Sequence, residues 1–399
     1  MLDFPDHRGR GRNRYRGRTE LLSTPIPIPT PTPMIREIQH MWFNVLIALI
    51  KALFFLTCVL TLTSLLTWME RKQSAVMQDR LGANRAPILG VRAFGLPHIL
   101  ADALKMFFKE DYVPPGGDKL LHTAAPMAAL FFALMSFAAI PFGDSIQIAG
   151  RKIELLVLPL NVGLLFVFAM MSLGIYGTFL AGFSSNNKYA FMGGLRASSQ
   201  MISYEITMGA TLVGLLMIFG TLDLGELNRA QGALLWGWLP KWGIFLQPLG
   251  FILFVTAGLA ETKRVPFDLP EGESEIIGYF LEYSSMKFGA FFMADFIETI
   301  LIAALIATLF FGGWQIPYLQ SDGFHLPWGA FHALPHLLVT ILQMIAFAFK
   351  VFFFCWFLLL IRWTLPRFRY DQLMRLGWKF LLPVSILNIF ITALVLLLI

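Results

Sequence analysis

Long apolar runs alternate with polar connections along this chain, and the runs set its architecture. Eight stretches of mostly apolar residues fall near 42–68, 123–142, 155–182, 200–221, 246–264, 288–312, 335–362 and 380–398. An α-helix needs roughly 20 apolar residues to cross a bilayer, and these runs are of that order. Backbone in lipid must satisfy its own hydrogen bonds, so runs of this kind predict helices. The reading is an all-α, polytopic membrane protein with eight transmembrane helices. A long polar connection, 70–122, separates the first two runs. Within it, PHILADALKMFFKED (97–111) sets Ile99, Leu100, Ala103, Leu104, Met106, Phe107 and Phe108 at helical spacing against Asp102, Lys105 and Lys109. That pattern predicts an amphipathic helix lying along the membrane interface.

Composition agrees. The chain has 399 residues, 57% of them hydrophobic and only 14% charged, against roughly 25% charged in ordinary soluble domains. Its first partner is therefore the lipid bilayer. The net charge of +6 gives no reason to expect nucleic acid, because it is concentrated in the first eighteen residues and in the connections. Cys58 and Cys355 lie inside apolar runs, match no metal or redox spacing and read as packing residues. Residues 1–33 form a separate unit. Arg8, Arg10, Arg12, Arg14, Arg16 and Arg18 alternate with other residues, and TPIPIPTPTP follows. This unit reads as a disordered, dispensable Arg/Pro-rich extension, and 34–399 as a single transmembrane helical domain.

Lysine and arginine positions predict orientation. The connections 70–122, 183–199, 265–287 and 363–379 carry most of them. The opposite set, 143–154, 222–245 and 313–334, holds only Arg151, Lys152, Arg229 and Lys241. The first set is expected to be cytoplasmic, with both termini outward. The basic extension runs against this bias.

The candidate chemistry is carboxylate chemistry. Residues 260–288, AETKRVPFDLPEGESEIIGYFLEYSSMKF, hold Glu261, Asp268, Glu271, Glu273, Glu275 and Glu282 between two apolar runs. Carboxylates crowded at a membrane boundary repel one another and raise each other's proton affinity, which suits a proton-coupling site. A solvated acidic loop is the plain alternative, but the Pro, Phe, Leu and Ile content suggests packing. Pro266 is expected to break the helix that ends near Glu261 and Arg264. Glu271 and Glu275 are expected to share a helical face, with Glu273 pointing elsewhere. Glu205 lies a turn or more inside the fourth run. Asp295 and Glu298 lie two turns into the sixth, three apart and on one face, with Asp295 the preferred proton carrier. Ionisable groups at such depth are costly and usually face protein or water. Glu70, Arg71 and Arg80 sit just past the first run, either as a snorkelling helix end or as a charged mouth to a cavity. His325, His332 and His336 read as structural or interfacial.

Four passages, MERK…MQDRLGANR, ADALKMFFKED, the 260–288 stretch and PRFRYDQLMRLGWKFLLP (366–383), together with SYE at 203–205, resemble one family. It is the membrane subunit of respiratory complex I that lines the quinone cavity, found in both mitochondria and bacteria. The resemblance covers roughly 42–399. It implies an eight-helix subunit of a proton-translocating NADH:quinone oxidoreductase in the bacterial inner membrane, without catalytic activity alone. Quinone would be the substrate of the complex, and NADH, FMN and iron–sulfur clusters would lie on partner subunits. The partners implied are quinone-site peripheral subunits and small membrane subunits. The resemblance assigns Glu70, Arg71, Arg80, Asp102, Arg264 and Asp268 to the quinone cavity. It assigns Glu205, Glu261, Glu271, Glu273, Glu275, Glu282 and Asp295 to proton coupling. Three departures stand out: GANR where the family usually has GPNR, a longer 86–96 segment with His98 near a common glutamine, and Asp295 in place of the usual glutamate.

Two other readings stay open at this stage. One is the related subunit of a membrane-bound hydrogenase or other ferredoxin-linked complex. The other is a substrate transporter, which the absence of an inverted repeat disfavours.

Overall fold

The structure is a computed structural model that describes residues 33–88, 90–148, 151–235, 237–272, 275–276, 278–320, 322–325 and 331–398. The expected extension, apart from Pro33, lies outside the described residues. The helices are α1 (Pro33–Met77), α2 (Pro97–Phe108), α3 (Lys119–Ser136), α4 (Gly163–Ser184), α5 (Lys188–Phe219), α6 (Leu224–Gln231), α7 (Gly243–Leu246), α8 (Pro248–Glu261), α9 (Ser285–Phe310), α10 (His336–Thr364), α11 (Tyr370–Arg375) and α12 (Leu382–Leu398). A π-helical turn, Leu376–Leu381, joins α11 to α12. Among the described residues, seven segments are long and apolar enough to cross a membrane, and α8 is a shorter apolar helix in the place of the fifth predicted run. All eight predicted runs therefore fall on apolar helices.

Boundaries differ where polar residues enter a helix. The sequence places the fourth run at 200–221, but α5 begins at Lys188, with the Asn187 side chain accepting from the Tyr189 amide at 2.9 Å. Lys188, Arg196, Ser198, Ser199 and Gln200 make its first turns too polar to read as lipid-facing. Most of the expected 183–199 connection is thus helix, and Glu205 lies midway along α5 rather than near its start.

The chain is not helical throughout. Short antiparallel strands occupy the connections on one end: β1 (Ser145–Ile148) with β2 (Arg151–Glu154), β3 (Leu234–Leu235) with β4 (Leu239–Pro240), and β5 (Leu319–Gln320), β6 (Gly323–His325) and β7 (Phe331–Ala333) in order. There Arg229 pairs with Asp144 at 2.9 Å and Glu154 at 3.4 Å.

Helix α9 is the buried centre, packing against α3, α8 and α10. In its most apolar window 83% of residues are buried, against 6% for α1. Such all-round apolarity marks a helix enclosed by others. Small residues set the close crossings: a Cβ at Gly177 of α4 would lie 2.7 Å from the Ala129 nitrogen of α3, the tight approach that membrane helices favour.

Ion pairs Arg196–Glu275, Lys287–Asp111 and Arg367–Asp268 join the Lys/Arg-rich connections to one another, and Arg229–Asp144 joins two of the others. A membrane-impermeant maleimide added to intact cells is expected to label Glu226→Cys and spare Lys109→Cys. The reverse pattern would invert the orientation.

Candidate functional site

At the Lys/Arg-rich end, ion pairs tie the first helix to later segments. Glu70, in the last turns of α1, lies between two arginines: Arg264 Nη1 at 3.3 Å and Arg362 Nη1 at 2.6 Å. The Arg264 guanidinium also lies 3.9 Å from the centroid of the Phe296 ring, close enough for cation–π attraction. Arg71 reaches Asp102 of α2 at 2.5 Å and so fixes the amphipathic helix to α1. Leu100, Leu104, Phe107 and Phe108 stay exposed on α2, an apolar stripe as predicted. Glu70, Arg71, Arg80, Gly82 and Trp363 line a cavity of about 490 Å³.

Among its described residues the 262–284 connection forms no regular helix. Pro266, Pro270 and Gly272 interrupt it, and side chains pin it. Arg367 donates to Asp268 at 2.8 Å, and the Gln200 amide donates to the Ala260 and Phe267 carbonyls at 2.7 and 2.8 Å. Glu271 and Glu275 do not share a face. Glu275 is exposed and pairs with Arg196 at 2.8 Å, whereas Glu271 lies within electrostatic reach of Asp268 and Asp295. Glu282 accepts from Asn187 at 2.7 Å, apart from the inner carboxylates. Glu273 lies outside the described residues.

Deeper in, four carboxyls gather. Glu261, the last residue of α8, is buried, and its Oε2 has no hydrogen-bond partner among the described residues. It lies within electrostatic reach of Glu205 and Glu298. Ser172 of α4 donates to Glu205. Glu261, Glu298 and Ser136 line an enclosed cavity of about 10 Å³, near the lower limit of what holds one water. The ammonium of Lys263 lies 3.0 Å from Asp295 and 3.1 Å from Glu298, with the lysine side chain only 2% exposed.

Lys263 also has unusual backbone. Just past the end of α8 its φ is +54°, the left-handed conformation that helix ends usually give to Gly or Asn. A lysine there costs on the order of 1–3 kcal/mol, and two buried ion pairs oppose that cost.

The loop's electrostatics follow from this packing. Burial pushes the Asp268 carboxyl up to about 6, and Arg367 and Arg362 only partly oppose the rise. Desolvation raises Glu271 well above its ordinary value, and the Asp295 and Asp268 charges add to the effect. Burial alone would lower the Lys263 ammonium, but Asp295 and Glu298 outweigh it and raise it.

The predicted residues thus fall into two groups. Glu70, Arg71, Arg80, Asp102, Arg264 and Asp268 sit at the loop end. Glu205, Glu261 and Asp295 gather inside, Glu271 reaches toward them, and Glu275 and Glu282 stand apart. Reading the carboxylates alone misses Lys263, Arg362 and Arg367, and ranks Glu298 below Asp295 although one ammonium binds both. Lys263 lies within the 260–288 stretch, between Glu261 and Arg264, and a cation so placed is the available signal.

A family model described as NADH dehydrogenase matches residues 50–393. The chain is 44% identical over 345 residues to an H-type NADH-quinone oxidoreductase subunit of Cytophaga hutchinsonii, covering 86% of this chain and 94% of that protein. It is 42% identical over 358 residues to the corresponding protein of Thermomicrobium roseum, covering 89% and 97%. It is 44% identical over 350 residues to one from Geobacter sulfurreducens, covering 88% and 95%. With matches of this extent on a polytopic helical chain, the protein belongs to the family of H-type membrane subunits of NADH-quinone oxidoreductase.

Proposed function

We propose that this chain lines the quinone cavity of a proton-translocating NADH:quinone oxidoreductase and couples quinone reduction to proton movement. The observation that carries the reading is the continuity of charge. An ion-paired rim of Glu70, Arg264, Arg362, Asp268 and Arg367 leads through Arg264 and Lys263 to the buried carboxyls Glu261, Glu205, Asp295 and Glu298. Arg71, Arg80 and Asp102 belong to the cavity rim. Glu271, Glu273, Glu275 and Glu282 belong to the acidic loop.

Chemically, quinone reduction demands two protons and changes the charge in the cavity. Asp268, pushed up to about 6 by burial, and Glu271, whose proton affinity is raised by desolvation, respond to that charge. Loop carboxyls and the inner cluster interact, so a proton gained at one alters the others. The inner carboxyls then pass the change toward neighbouring membrane subunits. The electron donor chemistry of NADH, FMN and iron–sulfur clusters belongs to partner subunits of the peripheral arm. The complex sits in the bacterial inner membrane. The names of the relatives favour this quinone-linked reading over the hydrogenase branch and over a transporter.

Irradiation of the purified complex with a photoreactive short-chain quinone tests the cavity. Label is expected on residues 70–83 or 264–268, and excess unlabelled quinone should displace it. Displaceable label confined to other parts of the complex would contradict the assignment.

A further inference from the structure

Lys263 is a different kind of group from the carboxyls around it. Its ammonium lies within salt-bridge distance of both Asp295 and Glu298. The groups facing it are Asp295 and Glu298 from α9, Tyr279 and Glu271 from the loop, and Glu261 from α8. The Tyr279 ring centroid is 5.9 Å away. All but the tyrosine carry carboxyls, Glu205 lies beyond Glu261, and Arg264, itself paired with Glu70, lies within electrostatic reach of Glu298.

Two observations argue that the charge, and not the shape, is what this position requires. The backbone adopts φ +54°, where Asn or Gly fits better than Lys. The side chain is almost wholly buried, where an ammonium is costly unless paired. A residue disfavoured on both counts is held there by the two carboxylates it meets.

We propose that Lys263 is a built-in counter-ion that stands in for one proton at the Asp295–Glu298 pair, so that the two carboxyls together exchange a single proton, as one carboxyl would. This rests on the coupling reading above and adds a residue to it. Without the ammonium, two buried carboxyls facing each other would hold one proton between them. That proton's hydrogen bond would keep the second carboxyl ionised, so the pair would load and unload far less readily. Lys263 is a positioning and charge-setting residue. It touches no substrate.

The test uses the assembled complex with two variants. Lys263→Asn suits the backbone and removes the cation. Lys263→Asn combined with Glu298→Gln removes the surplus carboxyl as well. Infrared difference spectra read protonated carboxyls, and proteoliposomes read protons translocated per quinone reduced. The single variant is expected to show an added carboxylic acid C=O band in the resting state and a loss of protons per quinone. The double variant is expected to regain the parental ratio. If the single variant keeps both the parental spectrum and the parental ratio, Lys263 is a structural anchor only. If the single variant does not assemble, restored assembly and coupling in the double variant support the proposal, and failure to restore them overturns it. The infrared arm is independent of coupling. An added band in Lys263→Asn, with normal pumping in Glu261→Gln, would sink the coupling reading and leave the counter-ion role standing.

Discussion

Replacing Glu70 by Leu is expected to destabilise the chain within its complex by about 3–5 kcal/mol, the usual consequence of removing one partner from a buried ion pair. Two arginines pair with this one carboxylate. Arg264 has a side-chain exposure of 9% and Arg362 of 23%, so Arg264 in particular is shut off from water. Leucine leaves both charges facing one another across an apolar gap. Domains are stable by only about 5–15 kcal/mol, so the loss is a large share of the total. Thermal melting of the detergent-solubilised complex, followed by retention of this chain, measures it. Glu70→Gln, which keeps a hydrogen-bond acceptor, is expected to fall between Leu and the parent. A Glu70→Leu complex that melts with the parent would show that the arginines have other partners.

The helices are legible in the sequence because lipid imposes a length and polarity that few other environments do. The polar side of α2, with Asp102 on it, is legible from helical spacing, but the Arg71–Asp102 ion pair is a finding of the structure. The start of α5 is not legible, because its first turns run beside the polar loops and need no apolar surface. The acidic loop misleads in a different way. Spacing places Glu271 and Glu275 on one helical face, but Pro266 and Pro270 interrupt the helix, and Glu275 pairs with Arg196 while Glu271 lies within electrostatic reach of Asp268 and Asp295. Lys263 and Arg362 are hidden because their partners lie far away in sequence: Asp295 and Glu298 on α9, and Glu70 on α1. Period and propensity carry no information on such pairs.

Glu261→Gln is expected to give an assembled complex whose proton-coupled turnover falls by roughly a hundredfold, the lower edge of what a titrating group typically contributes in acid–base steps. Glutamine preserves volume and polarity but cannot load a proton. Glu261 is the sharpest choice among the inner carboxyls. Its Oε2 has no hydrogen-bond partner among the described residues, whereas Asp295 and Glu298 hold an ammonium and Glu205 holds a serine hydroxyl. Packing therefore loses least at Glu261, and proton transfer loses most. Glu205→Gln should act in the same direction, with an added disturbance at Ser172.

Protons translocated per quinone reduced, measured in proteoliposomes holding the Glu261→Gln complex, test the account most directly. The account predicts that the complex assembles and that the ratio collapses with whatever quinone reduction remains. A parental ratio at parental turnover would remove Glu261 from the route and, with it, the claim that these carboxyls couple quinone reduction to proton movement.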